Sequence, residues 1–301
     1  MITRTDIEVA ADRTGDRVRV TPVLALGPDL VLKLELAQHT GSFKPRGAFN
    51  RILAAGTGDG GVIAASGGNH GLAVAYAARA LGRPAEVFLP ETSSPVKVAR
   101  LRGYGATVRL VGRHYAEALA ASEARAAETG ALVVHAYDQP EVQAGQGTLA
   151  RELDRQVSDV DTVLVAVGGG GLIAGVATWY AGRARIVAVE PERIPTLASA
   201  LTAGRPVDVD VSGVALDSLG ARRISADSLA VCQHAGVRSV LVSDDDIVAA
   251  RRALWNEARI AAEHGGAAAL AALWSGAYRP EPGERVAVVV CGGNTDPSDL
   301  V

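Results

Sequence analysis

Residues 161–181, DTVLVAVGGGGLIAGVATWYA, carry an apolar β-rich run directly into four glycines and then into a helix-like run. Consecutive glycines between a buried strand and a helix expose a row of backbone amides, which favours binding of phosphate oxygens. A flexible linker is the alternative, but linkers are not bounded closely by apolar segments on both sides. We therefore expect a strand, an anion-binding turn and a helix that begins at the turn.

Short apolar runs alternate with longer alanine-rich runs along the chain from residue 61. GVIAAS precedes NHGLAVAYAARAL, AEVFLP precedes SPVKVARLRG, and RVAVVV leads into CGGN near the end. This alternation predicts βαβ units on parallel sheets. Ser94 with Pro95, and Ser243 before three aspartates, are expected to begin helices.

Pro- and Gly-rich stretches at 56–61 and 137–141 bracket the first group of units. We predict an α/β protein with two lobes and mostly parallel sheets flanked by helices. Residues 1–55 and 139–301 would form a large cofactor-binding domain, and residues 56–138 a small α/β domain inserted in it. Ligands of such folds bind at the carboxyl ends of the strands.

The composition argues against several classes of function. The 301 residues are 48% hydrophobic and 21% charged with a net charge of −3, as expected of a soluble globular protein without a basic stripe for nucleic acid. The apolar runs are too short to span a bilayer, and the N-terminal MITRTDIEVAADR lacks the apolar core of a signal peptide. Two cysteines cannot build a disulfide framework. We expect a cytoplasmic protein that does not bind membranes.

The stretch GSFKPRGAFN, residues 41–50, contains one of only three lysines among 30 Lys plus Arg residues. Arginine supplies positive charge but cannot lose its proton in a protein, whereas a buried lysine can become a free amine. Lys33 in a strand and Lys97 on a helix face are consistent with solvated charge. Lys44 follows the strand-like VLKLEL and precedes a helix that Pro45 can start, which is the loop context of a nucleophile.

Two further loops follow predicted strands. SGGNHG, residues 66–71, opens a helix whose first amides could bind a carboxylate, although an ordinary capped turn is the alternative. CGGN, residues 291–294, follows VAVVV, where the cysteine could equally be a small apolar filler. The amine of Lys44, a carboxylate-binding turn at residues 66–71 and a phosphate-binding turn at residues 168–171 together describe a site for pyridoxal phosphate held as a Schiff base.

The glycine-rich turn also supports a rival hypothesis. Gly169, Gly171 and Ala174 fit G-x-G-x-x-A, and Glu190 ends the next strand about 20 residues later, where a dinucleotide fold places its ribose-binding acid. An NAD-dependent dehydrogenase is the resulting alternative.

The chain resembles the serine/threonine dehydratase and serine racemase family of fold type II pyridoxal-phosphate enzymes, whose fold is similar to the tryptophan synthase β chain. The motifs that carry the resemblance appear in the family's order along nearly the whole chain: TGSFKPRGA, SGGNHG, AGQGT, VGGGGLIAG, EP, SGVA and CGGN. The resemblance implies a homodimer that converts L-threonine or L-serine to a 2-oxo acid and ammonia by β-elimination. Another β-hydroxy amino acid is an alternative substrate, and β-replacement a less favoured reaction.

The resemblance also implies roles for individual residues. Lys44 would carry the cofactor and serve as the catalytic base. The other cofactor contacts would be Phe43, Asn69 at the ring hydroxyl, Gly168, Gly169, Gly170, Gly171 and Leu172 at the phosphate, Gly213 against the ring, and Cys291 at the pyridine nitrogen. The substrate carboxylate would lie at Ser66, Gly67, Gly68 and His70.

Three departures from the family pattern refine these expectations. Racemases have a serine where this chain has Gly67, so we expect little racemisation. Metal-binding members pair a glutamate with an aspartate six residues on, but here Glu190 is followed by Thr196, so no metal is expected and Glu190 is interpreted as structural. The chain ends soon after CGGN, so control by an appended regulatory domain is not expected.

Overall fold

A computed structural model describes residues 1–56 and 60–300. Within these ranges the chain alternates strands and helices, as predicted. The strands are β1 Val23–Ala25, β2 Leu30–Leu34, β3 Val62–Ala65, β4 Ala85–Leu89, β5 Thr107–Leu110, β6 Leu132–Val133, β7 Thr162–Ala166, β8 Arg185–Pro191, β9 Arg238–Val242 and β10 Val286–Val290. The helices are α1 Arg4–Thr14, α2 Lys44–Ala54, α3 Asn69–Ala80, α4 Pro95–Gly103, α5 Tyr115–Thr129, α6 Pro140–Gln156, α7 Gly171–Tyr180, α8 Thr196–Ala203, α9 Leu216–Leu219, α10 Ala226–His234, α11 Asp244–Ala258 and α12 His264–Trp274.

The larger sheet has the strand order β1-β2-β10-β7-β8-β9. Its pairs are parallel except for β1 with β2. β10 pairs with β2 on one side and with β7 on the other. Every residue of β7 and of β10 is buried, as expected for parallel strands covered on both faces. Buried residues of α1 and α12, from opposite ends of the chain, belong to the same aliphatic core as these strands.

The smaller sheet has the order β5-β4-β3-β6, and all its pairs are parallel. Its four strands come from the continuous stretch 62–133. The α/β fold with mostly parallel sheets flanked by helices is confirmed. The exact domain boundaries stay a prediction, and part of the 56–61 stretch that suggested one of them, residues 57–59, lies outside the described residues.

Local signals in the sequence begin the helices where they were predicted. The Ser94 hydroxyl accepts the amide hydrogen of Lys97 ahead of Pro95, and Ser243 forms a capping box with Asp246. Pro45 occupies the first turn of α2, which begins at Lys44. Within the described ranges, no helix has both the length and the apolarity needed to cross a bilayer.

Helix α6 packs against α2 and α7 at contacts that only glycine permits. A Cβ on Gly145 would lie 2.6 Å from the Cα of Gly47, and a Cβ on Gly175 would lie 2.5 Å from the amide nitrogen of Gly147. Gly145 and Gly147 belong to the AGQGT motif. This motif therefore holds α2, which begins at Lys44, close to α7, which begins at Gly171 in the glycine turn.

Lys33 contradicts its prediction as a solvated charge, because its side chain is fully buried. Its amine donates to the Thr21 carbonyl at 2.8 Å and forms an ion pair with Glu152. Glu152 also contacts Arg46, which donates twice to the buried Glu35 at 2.7 and 2.8 Å. Burial lowers the pKa of Lys33, while Glu152 opposes that shift. This ionic cluster surrounds the first turn of α2.

Replacing Lys33 with methionine should lower the free energy of unfolding by about 3 kcal/mol, because it leaves buried acceptors without their cation. Lys97→Met is the matched control. Its partner Asp217 is largely exposed, so that loss should stay within about 1 kcal/mol. Urea denaturation of both variants measures the difference. Equal losses would show that the buried pair has no special weight.

Candidate active site

The pairing of β10 with β2 and β7 brings three predicted loops to one edge of the larger sheet. An isolated bridge joins Ser42 to Gly292, and the Phe43 amide donates to the Cys291 carbonyl at 3.1 Å. The lysine loop and the CGGN loop are therefore bonded to each other. A cavity of about 50 Å³ opens between them and the glycine turn. Its lining residues are Phe43, Lys44, Asn69, Tyr137, Ala166, Val167, Gly168, Gly169, Gly170, Gly171, Leu172, Ile173, Ser218, Leu219, Glu263 and Cys291.

Lys44 extends its amine into this region from the first residue of α2. The amine donates to the Ala136 carbonyl at 2.8 Å and lies 5.1 Å from the centre of the Phe43 ring. Burial lowers the pKa of the Lys44 amine to about 8, against the opposing influence of Cys291 and Glu263. About a tenth of this amine is therefore a neutral nucleophile at pH 7, far more than for an ordinary lysine.

The glycine turn is oriented by hydrogen bonds on its outer side. The Gly168 carbonyl accepts from the Thr196 hydroxyl at 2.8 Å, and the Gly169 carbonyl accepts from the Ser225 amide at 3.3 Å. Because the N–H and C=O of a trans peptide point in opposite directions, these bonds direct the amides of Gly169 and Gly170 away from Thr196 and Ser225. Together with the first amides of α7, which have no intrahelical partners, they have the chemistry that an anion-binding site needs.

Glycine is required at the turn by close contacts. A Cβ on Gly169 would lie 2.2 Å from the Tyr137 ring, and one on Gly168 would lie 2.8 Å from the Leu219 carbonyl oxygen. Gly170 has a φ of +94°, which disfavours other residues. Other protein atoms therefore fill the space that a side chain at Gly168 or Gly169 would need.

The predicted substrate loop lies beside a second cavity of about 470 Å³, which Lys44 also lines. Ser66, Gly68 and His70 line it, and α3 begins there at Asn69. The buried His70 bonds the Val134 carbonyl through Nε2 at 2.8 Å, and burial lowers its pKa to about 3. The His70 ring is therefore neutral, and the predicted contact of this residue with the substrate carboxylate stays a prediction.

Three further residues were predicted to belong to the site: Cys291, Gly67 and Gly213. The buried Cys291 donates through Sγ to the Gly265 carbonyl at 3.4 Å, and burial raises the pKa of its thiol to about 12. Gly67 lines a third cavity, which shares Asn69 with the first two. Gly213 lies apart, since it lines neither of the first two cavities in the described part of the chain, and a Cβ there would meet Asp244. Its predicted place against the ring stays a prediction.

Sequence reasoning missed Glu263 and Tyr137. Glu263 is buried, accepts a hydrogen bond from Asn69 Nδ2 at 2.6 Å, and has a pKa raised by burial to about 7. Tyr137 packs on the glycine turn and donates to the Arg223 carbonyl at 3.3 Å. Neither residue belongs to a recognisable motif. An acid directly before the glycine-containing start of α12 was the only local signal for Glu263.

The hydrogen bonds of Glu190 argue against the dinucleotide hypothesis. It is fully buried, and its carboxylate accepts the amides of Leu197 and Ala198 at 2.6 and 2.8 Å and the Ser239 hydroxyl at 2.6 Å. These bonds occupy the oxygens that a ribose would need. The dehydrogenase alternative is therefore not supported, and Glu190 acts as a structural acid that caps α8.

The geometry of a lysine facing an anion-binding glycine turn defines a site for a phosphorylated aldehyde cofactor. Comparison with known proteins agrees, because residues 16–292 match the family described as pyridoxal-phosphate dependent enzyme. The chain belongs to this family and depends on pyridoxal phosphate.

Named relatives cover most of the chain. An L-threonine ammonia-lyase of Geobacter sulfurreducens is 38% identical over 98% of this chain and 76% of its own length, and a phenylserine dehydratase of Ralstonia pickettii is 38% identical over 93% and 89%. Among solved structures, maize serine racemase superimposes with a TM-score of 0.92 at 31% identity, covering 99% of this chain and 95% of that one. Fold type II is confirmed.

Thr196→Val should weaken binding of pyridoxal phosphate about fivefold, since loss of one hydrogen bond frees the Gly168 carbonyl to turn inward. Titration of apoprotein followed by absorbance measures the dissociation constant. Thr202→Val on the same helix is the control, because Thr202 is exposed and, among the described residues, its hydroxyl bonds only to the Ala198 carbonyl of its own helix. Equal affinities of the two variants would contradict this role.

The rate at which apoprotein takes up pyridoxal phosphate should rise about tenfold between pH 7 and pH 9 and level off, because neutral Lys44 is the nucleophile and its pKa is about 8. The cofactor phosphate has lost its second proton throughout this range. An unperturbed lysine would give a rate that still rises at pH 10. Stopped-flow absorbance measures the profile, and Lys44→Ala supplies the blank.

Proposed function

We propose that the protein is a pyridoxal-phosphate-dependent dehydratase that converts L-threonine and L-serine to a 2-oxo acid and ammonia by β-elimination. The observation that carries the proposal is the partly buried Lys44 amine, with a lowered pKa, beside the glycine turn and an open cavity. The relatives named threonine ammonia-lyase and threonine dehydratase support this choice of reaction.

Pyridoxal phosphate, when bound, supplies an aldehyde for amines and a conjugated ring that withdraws electrons from the substrate α-carbon. Lys44 would hold it covalently. Phe43 would pack beside the ring, Asn69 would donate to the ring hydroxyl, and the amides from Gly168 to Leu172 would bind the phosphate.

The start of α3 would bind the substrate carboxylate. Its first amides have no intrahelical partners, and the positive end of the helix dipole attracts an anion. Ser66 and Gly68 lie at this end beside the larger cavity. A carboxylate fixed there places the α-carbon of an amino acid on the side of the cavity that Lys44 lines.

Lys44 would then serve as the base that removes the α-proton, since its amine lies at the wall of the cavity that would hold the substrate. The substrate loses this proton and its β-hydroxyl, which together make water. The aminoacrylate-type product reacts with water to give the 2-oxo acid and ammonia. Gly67 offers no side chain for proton return to the opposite face, which supports elimination over racemisation.

The Cys291 thiol would face the pyridine nitrogen as a neutral group. Its raised pKa keeps it protonated, and a neutral thiol stabilises a cationic ring less well than a carboxylate at the same position would. The ring is then a weaker electron sink, which is sufficient for elimination of a hydroxyl.

A second candidate substrate has a bulkier β-substituent. The larger cavity, at about 470 Å³, exceeds the needs of a methyl group, and its lining includes Tyr115, Tyr137, Val211 and Leu216. Such a wall can pack against an aromatic ring. The resemblance to a phenylserine dehydratase agrees with this candidate.

We further propose that the enzyme is a cytoplasmic homodimer, as the family resemblance implies. Both cysteines, Cys232 and Cys291, are buried thiols, which is compatible with a reducing compartment. Light scattering should give twice the 30.9 kDa mass of the chain.

Release of 2-oxo acid by purified holoenzyme should be detected with L-threonine or L-serine and should fall by on the order of a thousandfold or more in Lys44→Ala. Lys44→Arg should be equally inactive, because a guanidinium keeps the charge but cannot release its proton. Phenylserine and 3-hydroxyaspartate complete the panel. A higher kcat/KM on phenylserine favours the second candidate, whereas no product from any of the four substrates would refute the dehydratase.

A further inference from the structure

Four polar side chains form a continuous hydrogen-bond chain beside the proposed cofactor site. The Arg100 guanidinium donates to Asn294 Oδ1, Asn294 Nδ2 donates to Asn69 Oδ1 at 2.7 Å, and Asn69 Nδ2 donates to Glu263 Oε1 at 2.6 Å. Asn294 Nδ2 also donates to the Thr40 carbonyl at 2.7 Å. All four side chains line the third cavity, of about 60 Å³, next to the substrate loop.

The groups that bond Asn294 fix the donor-to-acceptor direction of this hydrogen-bond chain. A side-chain amide can be turned over, so its neighbours decide which end donates. Arg100 can only donate and the Thr40 carbonyl can only accept, which fixes the orientation of Asn294. Asn294 then offers an N–H to Asn69 Oδ1. The Asn69 amino group consequently faces Glu263 Oε1, which accepts from it at 2.6 Å.

The orientation of Asn69 matters because its amino group carries two hydrogens. Glu263 accepts one of them, and the other remains for a ligand in the cavity that Asn69 shares with Lys44. An Asn69 turned over would present its carbonyl oxygen to that ligand instead. Loss of the donor would weaken any contact to an oxygen of the ring.

The chain of bonds also crosses between the two sheets. Arg100 is exposed on α4, the helix that connects β4 to β5 of the smaller sheet. Asn294 follows β10 of the larger sheet. A Cβ on Gly41 would lie 2.9 Å from Asn294 Oδ1, so the lysine loop also leaves room for Asn294. The Asn69 orientation therefore depends on an arginine outside the cofactor cavity.

We propose that Arg100 and Asn294 are positioning residues that fix the amide of Asn69, with Glu263 as the accepting end, so that one Asn69 N–H is directed toward the cofactor ring. This inference rests on the proposed function, because it assigns the ligand of Asn69 as pyridoxal phosphate. A purely structural role, in which Arg100 only fastens α4 to the CGGN loop, is the competing explanation.

The test compares Arg100→Met, Arg100→Lys and the control Arg102→Met, which alters an exposed arginine on the same helix. Titration of each apoprotein with pyridoxal phosphate gives its dissociation constant and the absorption spectrum of the bound cofactor. Arg100→Met should bind about tenfold more weakly and shift the visible band, because one hydrogen bond to the ring is impaired. Arg100→Lys retains a donor and should restore the wild-type band, and Arg102→Met should match wild type.

A double-variant cycle adds an independent readout. In an Asn294→Ala background the link to Asn69 is already broken, so Arg100→Met should cause no further change in the spectrum. A wild-type spectrum in Arg100→Met, or additive changes in the double variant, would overturn the proposal and leave a structural tie. Failure of the wild-type protein to take up pyridoxal phosphate would instead refute the proposed function, and this inference with it.

Discussion

Two glycine contacts on α6 fix the distance between the lysine and the glycine turn. Gly145 meets Gly47 of α2, and Gly147 meets Gly175 of α7, at separations that exclude a Cβ. α2 starts with Lys44, and α7 starts at the end of the glycine turn. Since the interior is close-packed, a methyl group at either contact would push the helices apart and displace one of the two groups that a phosphorylated aldehyde must reach at once.

Burial supplies the chemistry that this frame positions. Burial lowers the pKa of both buried amines, but the Lys33 amine is bonded to Glu152 and to carbonyl and amide oxygens, whereas the Lys44 amine bonds only the Ala136 carbonyl among the described residues and its pKa falls to about 8. The same burial raises the pKa of Cys291 and of Glu263. One amine, one thiol and one carboxyl thus lie together with little net charge, which keeps the site ready for a ligand that brings its own phosphate charge.

Much of the fold could be predicted from the sequence, because its signals are local. The apolar run before Gly168 gave a strand, and Pro45, Ser94 and Ser243 began helices, since caps and periodicity act over a few residues. The buried state of Lys33 could not be predicted, because its acceptors Thr21, Glu152 and Gln156 are distant in sequence. Glu263 was missed for the same reason, as its value lies in a contact with Asn69, 194 residues away.

Glu190 and Thr196, both close to the glycine turn, show why motifs alone could mislead. Glu190 and the G-x-G-x-x-A spacing fit a ribose site by sequence, yet the chain folds the carboxylate back onto the start of α8. Thr196, the residue that departs from the metal-binding pattern, donates its one hydroxyl hydrogen to the Gly168 carbonyl at 2.8 Å and lies 3.2 Å from Glu190 Oε1. A hydroxyl at this position therefore ties a buried acid to the outer side of the anion-binding turn. The bond to the Gly168 carbonyl joins two neutral groups, so the orientation of the turn follows from the chain's own side chains and the inward amides remain for the ligand.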